Sequence, residues 1–522
     1  MAQSNKKPPI APLWVYSPWI WEDSLNTDQA VKMLVNQYKQ HKIPVGALIV
    51  DSPWSLSYND FLWDTNKYPD PKETIKFLKD QNIKVVMWLT ACINSKSKDT
   101  RNNASPDFEY VRKMGYAVNN GQESDWWKGR GLHIDFTNPA ANKWWNTQLD
   151  KLLDMGIDGW KVDQGEIYFG DTVTTSIGKI TNEAFRPYYY RGIINHSLSK
   201  NRNAVILGRP FSHQGGYAAA VEDLTVGWSG DFSGNWGGLN KQINNIYTSA
   251  NAGYGTLACE IGGYFEAKSK REEFIRYMQF GSFCPVMING GSNGAFSTHL
   301  PWYFGEDVTQ IYRYYATLHQ ELGYYLFSAG VNAHIHGGSI IKNASIADQS
   351  HLLGEDIFVK PITGENATVA INLPENNAWF DYWTDSFYEA GQKIAKTYLE
   401  KSYPIFIKAG AIIPLKVDDN VTGHGDGRSK GKQTFLIYPY GNSSTIYHKP
   451  TGDGVSYQDI KVSVNKNGTI DFESVQKEDC IFLIKSKKKP VNITNTKEWS
   501  YDEKTNTIRI IQSGKKFSFS YH

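Results

Sequence analysis

Two patterns of apolar residues alternate along the first two-thirds of the chain. Largely apolar runs at 45–50 (Val-Gly-Ala-Leu-Ile-Val), 83–89, 157–162 and 204–207 read as short strands buried on both faces. Between and after them, 71–81, 140–155, 182–199, 241–250, 271–280 and 309–329 carry apolar residues at helical spacing. In 140–155 these are Trp144, Trp145, Leu149, Leu152 and Leu153. A further strand, 255–259, leads into Glu260. Strand then helix, repeated this often, predicts a (β/α)8 TIM barrel.

The pattern changes after Gly338. Short strands at 357–361, 368–373, 405–407, 434–438 and 444–447 are separated by Gly, Asn and Pro turns. The polar, glycine-rich stretch 417–432 reads as a loop. The predicted class is therefore α/β: a (β/α)8 barrel over residues 1–337, then C-terminal all-β sandwich domains over 338–416 (proximal) and 417–522 (distal).

Composition narrows the function classes. A chain of 522 residues with a formal net charge of +2 has no strong pull on polyanions, so no nucleic-acid partner is expected. The short Lys-Ser-Lys-Lys-Lys run at 485–489 reads as a solvated loop. No run of about 18 apolar residues is present, so no membrane partner is expected either. Four scattered cysteines (Cys92, Cys259, Cys284, Cys480) make neither a disulfide framework nor a zinc knuckle. The opening residues lack the apolar core of a signal peptide, while Asn-x-Ser/Thr sites such as Asn195, Asn343 and Asn366 fit a secreted or lysosome-like origin. Oligomeric state is left open.

The chemistry is expected at strand ends, where barrel enzymes place their reacting groups. Gly159-Trp160-Lys161-Val162-Asp163-Gln164-Gly165-Glu166 is an apolar run that ends in a carboxylate, and Gly227-Trp228-Ser229-Gly230-Asp231 is a second such signal. The same rule selects Asp51, Arg209 and Glu260. A lone Asp after a strand can equally cap the next helix. Several charges at successive strand ends would cost stability without a function to retain them. Two carboxylates amid 17 Trp and 31 Tyr point to acid/base chemistry on a sugar. Trp54, Trp88, Trp126, Trp127, Trp228 and Phe211 are candidate pocket walls or core. His213 reads as structural, and Glu166 as an orienting or ion-pairing group. His133, His213 and His299 show no ligand spacing, so neither a metal nor a cofactor is expected.

The motifs resemble glycoside hydrolase family 31, the retaining α-glucosidases, α-xylosidases and α-galactosidases. Gly159–Glu166 is similar to the family's nucleophile strand, Trp-x-Asp-Met-Asn-Glu, and Gly227–Asp231 to its His-Trp-x-Gly-Asp segment. The resemblance implies Asp163 as nucleophile and Asp231 as acid/base. It implies sugar contacts from Asp51 and Arg209; Trp54, Trp88, Lys161, Trp228 and Glu260 complete the expected substrate-binding set. Ile134-Asp-Phe-Thr-Asn-Pro139, Trp379-Phe-Asp-Tyr-Trp383 and residues 405–415 are also close to family segments, and the likeness runs from about residue 10 to about 460.

The departures cluster around the terminal sugar. Gly290 stands where family α-glucosidases have a histidine that contacts ring hydroxyls. Glu260 replaces an Asp and Gln164 a Met, and no counterpart of the family's large N-terminal β-sandwich is seen. The implied activity is an exo-acting, retaining hydrolysis of a terminal α-linked hexose, a glucoside or galactoside, with an oligosaccharide or glycoside as the partner. A transglycosylase or lyase using the same carboxylates, a carbohydrate-binding pseudoenzyme and a metal-dependent barrel enzyme are the rival readings.

Overall fold

Eight short parallel strands close into a barrel in strict chain order: β1 (Trp19–Glu22), β2 (Ala47–Val50), β3 (Lys84–Leu89), β4 (Gly159–Val162), β5 (Val205–Gly208), β6 (Val226–Trp228), β7 (Leu257–Ile261) and β8 (Val286–Asn289). Trp19 lies opposite Ile288 of β8 and Ala47 of β2, which closes the ring. Strands β2, β4, β5, β7 and β8 are buried along their whole length, and β2 and β5 accordingly read as unbroken apolar runs. The computed structural model describes residues 6–23, 26–163, 170–213, 215–265, 269–291, 299–496 and 498–521.

Around the barrel lie α1 (Asp28–Gln40), α2 (Pro71–Asp80), α3 (Pro139–Leu153), α4 (Asn182–Lys200), α5 (Trp236–Asn251), α6 (Arg271–Ser282), α7 (Glu306–Glu321) and α8 (Gly323–His336). Several starts are fixed locally. The Thr27, Asp70 and Asn138 side chains accept hydrogen bonds from the first free amides of α1, α2 and α3, and Pro71 and Pro139 occupy first-turn positions. Two departures from the sequence reading stand out. Among the described residues the β5–β6 connection holds only the short turn Val221–Asp223, not a helix. The expected helix 309–329 is two helices, interrupted at Leu322 with ψ −9° just before Gly323, a weak helix former. The second helix thereby turns toward the C-terminal sheets, where Ser328 Oγ accepts from the His448 amide at 3.1 Å.

After β3, the strands Cys92–Ser97, Ser124–Trp126 and Gly129–His133 form an antiparallel insertion. Beyond the barrel, one six-stranded sheet contains Ile341–Ser345, Ser350–Leu353, Ile357–Val359, Trp379–Asp381, Phe387–Tyr388 and Ile405–Lys408. A two-stranded ribbon pairs Thr368–Asn372 with Lys393–Thr397. The last sheet begins at Ile412–Leu415, ahead of the polar loop, and ends in the long pair Thr469–Lys485 with Thr507–Tyr521. One continuous apolar core joins the barrel to the six-stranded sheet through residues such as Phe358, Trp379 and Phe406, while the last sheet has a second core around Phe435, Phe472 and Phe482. This shared core packs the barrel and the six-stranded sheet into one body.

Candidate active site

Alternation along β4 sorts its residues. Trp160 points outward, where its Nε1 donates to Ser197 Oγ of α4 at 3.0 Å. Lys161 points into the barrel mouth, and Asp163 follows at the C-terminal end, its amide still bonded to Leu89 O at 3.0 Å. Asp51 follows β2 and Arg209 follows β5, while Asp231 sits three residues past β6. Sequentially remote residues thus converge on a cleft of about 250 Å³ at the rim. That volume is at the small end for ligand sites and suits one sugar ring.

Arg209 organises the reacting side. Its Nη2 lies 3.0 Å from Asp231 Oδ2, and its Nε lies 3.6 Å from Asp163 Oδ1. Its guanidinium stacks on the Trp228 ring at 3.8 Å. Trp88 Nε1 donates to the other Asp163 oxygen at 3.2 Å, and Tyr189 OH donates to the Asp163 carbonyl at 2.9 Å. Asp163 is therefore held from three places besides its own strand: β3, α4 and the end of β5.

Lys161 organises the floor. Its ammonium lies 2.7 Å from Asp51 Oδ2, and 3.8 Å and 4.6 Å from the Trp21 and Trp228 ring centroids. Burial opposes its charge, but Asp51, Glu260 and Asp163 together hold the proton on and push its pKa above the usual lysine range. Burial pushes the Asp51 carboxyl up, and Lys161 pulls it back. Glu260, fully buried in β7, is pushed up to about 8, first by burial and then by Asp231 and Asp51, against the pull of Lys161 and the Trp228 indole. The arrangement offers two carboxylates bracketing one arginine, an ammonium fixed below them, and aromatic walls.

A model of the glycosyl hydrolases family 31 TIM-barrel domain matches residues 8–329, and one of the family's C-terminal domain matches residues 342–413. The chain belongs to glycoside hydrolase family 31. This α-glycosidase family is represented among its relatives by the alpha-xylosidase of Emericella nidulans, 25% identical over 78% of this chain and 54% of the relative. The isomaltosyltransferase of Sporosarcina globispora is 25% identical over 87% of this chain and 46% of the relative. The chain thus spans about half the length of these curated relatives. In fold it is similar to the cycloalternan-forming enzyme from Listeria monocytogenes in complex with pentasaccharide substrate, with a TM-score of 0.86 and 22% identity over 99% of this chain and 55% of that chain.

Within the family 31 barrel, Asp51, Trp88, Lys161, Asp163, Arg209, Trp228 and Asp231 line the cleft with Trp127, whereas Glu260, expected among the substrate-binding residues, is buried outside its lining. Trp54 does not line it. Its Nε1 donates to the Trp88 carbonyl at 2.8 Å and its ring packs on Phe61 and Trp63, so it supports Trp88 from behind. Trp126 is likewise core, donating to Asn94, and Phe211 stacks on Tyr217. His213, read as structural, is part of the cleft wall. Gln164 and Glu166 lie outside the described residues. Asp23, Ser52, Lys128 and Tyr264 also line the cleft and were not singled out in the sequence. For Asp23 the available signal was its place directly after Glu22, the last residue of β1, a strand too short to register. Among the described residues no group of three His, Cys, Asp or Glu is placed to hold a metal, and no helix is long and apolar enough to cross a membrane.

Proposed function

We propose that this chain is an exo-acting, retaining α-glycosidase that removes a terminal α-linked hexose, a glucoside or a galactoside, from an oligosaccharide or glycoside. The observation that carries the reading is the single guanidinium shared by Asp163 and Asp231 at two strand ends. Asp163 attacks the anomeric carbon as a carboxylate while Asp231 gives its proton to the glycosidic oxygen, so the aglycone leaves as an alcohol. Esterified Asp163 no longer carries charge, and Arg209 then serves Asp231 alone. That favours ionised Asp231, the base that takes a proton from water as the water attacks the anomeric carbon and releases Asp163. Asp51 and Lys161 bind ring hydroxyls from the floor, and Trp88 and Trp228 enclose the ring.

A small cleft supports action at a chain end, where one sugar enters and the next lies outside. A second reading, transfer of the glycosyl group to a sugar acceptor in place of water, is supported by an isomaltosyltransferase among the relatives. For the division of the chain we propose a barrel over 1–337 and two C-terminal β units over 338–416 and 417–522, with the strand Ile412–Leu415 crossing from the first β unit into the sheet of the second.

The test is initial-rate turnover of p-nitrophenyl α-glycosides of glucose, galactose, N-acetylgalactosamine and xylose, with β-anomers as controls. Proton NMR of the first product follows the anomer formed. Selective turnover of one α-glycoside with α-product first is expected. Initial β-product would overturn the retaining mechanism, and a product longer than the substrate would favour transfer.

A further inference from the structure

The cleft has a second wall that the reacting carboxylates do not use. Asp23, directly after β1, and Tyr264, just past β7, meet there: Tyr264 OH donates to Asp23 Oδ2 at 2.9 Å. Among the described residues this is the one hydrogen bond to the Asp23 carboxylate, and both side chains line the cleft. The pair is built rather than incidental. The Tyr264 ring lies parallel to the Trp21 ring, with centroids 5.9 Å apart and planes within 7°. Trp21 in turn carries the Lys161 ammonium on its ring. The Trp21 ring needs the space beside β8, because a Cβ at Gly290 would come within 1.9 Å of Trp21 Cδ1 and 2.0 Å of Nε1. Bare backbone at 290 is thus what lets Trp21, and through it Tyr264, stand where they do.

Position decides what the pair can touch. The anomeric carbon must sit at Asp163 and Asp231, on the β4–β6 side of the mouth. Asp23 and Tyr264 stand at β1 and β7, and the Asp51 charge acts on both of them. In a pyranose, C4 lies across the ring from C1. Resting on the glycosidase reading above, we infer that Asp23 and Tyr264 form a specificity pair that recognises the C4 hydroxyl of the terminal sugar. Asp23 accepts from that hydroxyl, and Tyr264 keeps the carboxylate aimed at it. Burial and then Asp51 push the Asp23 carboxyl up to about 7, with Lys128, Lys161 and Tyr264 pulling it down. Near neutral pH the group therefore exists in both forms and can also donate to the hydroxyl.

A site that hydrogen-bonds a substrate hydroxyl rejects the analogue lacking it, because its own polar groups are left unpaired. The experiment measures kcat/KM for the preferred p-nitrophenyl α-glycoside and its 4-deoxy analogue, in the native chain and in Asp23→Asn and Tyr264→Phe. The native chain should prefer the 4-hydroxy substrate by at least about 100-fold. Each variant should shrink that preference by at least about tenfold, by losing rate on the 4-hydroxy substrate and keeping it on the 4-deoxy one. A preference unchanged in both variants, or equal loss on both substrates, overturns the pair. If no α-glycoside is turned over, the glycosidase reading fails by itself. The pair is then judged by the Kd of the free sugar against the 4-deoxy sugar, read by tryptophan fluorescence in the same three proteins, where absence of selectivity overturns it.

Discussion

Asp163 and Asp231 both pair with Arg209 but answer to different tests. Asp163→Ala removes the proposed nucleophile and should lower kcat by about four orders of magnitude, with the melting temperature little changed. Asp231→Ala should cost about 10²–10⁴-fold on alkyl glycosides and far less on 2,4-dinitrophenyl glycosides, whose leaving group departs without a proton. Equal loss on both substrates would argue against Asp231 as the acid. Glu260 gives a pH test. Its carboxyl is pushed up to about 8 from an ordinary value of 4.5, so the folded chain binds a proton that the unfolded chain releases. Its stabilising contribution is full below pH 4.5 and is lost as pH rises toward 8. Glu260→Gln removes that slope. The melting temperature of the variant minus that of the native chain should therefore grow between pH 5 and 8, and a flat difference would contradict the burial argument.

At the scale of elements, the barrel strands pass side chains to one another across the mouth. Trp21 of β1 covers Gly290 after β8, holds Lys161 of β4 and stacks on Tyr264 after β7. Gly290→Ala places a methyl group inside the Trp21 ring and should destabilise the chain by about 1–3 kcal/mol, as overpacking of a close-packed site does. Thermal unfolding measures the loss, and Trp21→Phe in the same chain should recover part of it by freeing the indole's space. The strands themselves were legible as apolar runs where both faces are buried, as in 47–50 and 205–208. Strand β1, Trp-Ile-Trp-Glu, escaped because four residues ending in an acid give no such run. The break at Leu322 escaped because apolar spacing continues through it, and only the turn toward the C-terminal sheets requires it.

At the scale of the whole molecule, a buried histidine ties the barrel to the six-stranded sheet. His351 Nδ1 is hydrogen-bonded to Tyr247 OH of α5 at 2.7 Å, and its Nε2 donates to the Phe283 carbonyl at 3.3 Å. Burial lowers its pKa to about 4. The unfolded chain gains a proton near pH 6.5 that the folded chain refuses, so stability present above pH 6.5 is lost as pH falls toward 4, by up to about 3 kcal/mol. His133 and His319, also buried and held near 4, add slopes of the same sign. In His351→Gln the acid-side fall in melting temperature from pH 6.5 to 4.5 should be shallower than in the native chain. An equal fall would remove His351 as a contributor.

The sequence by itself determined the barrel, the following all-β region and the strand-end positions of Asp51, Asp163, Arg209 and Asp231, because burial on both strand faces and the charge that ends each run are local properties. The family motifs then attached proposed roles to those positions. Only the tertiary structure decided which aromatic rings face the cleft: Trp88, Trp127 and Trp228 line it, while Trp54 and Trp126 are packed behind it, a difference of side-chain direction that composition does not carry. It alone brought Asp23 to Tyr264, 241 residues later in the chain, and set Trp21 against Gly290. The Trp21–Gly290 contact forms because closing the barrel makes β1 a neighbour of β8, and the Asp23–Tyr264 contact reaches across β8 to the end of β7; no pattern within these strands announces either one.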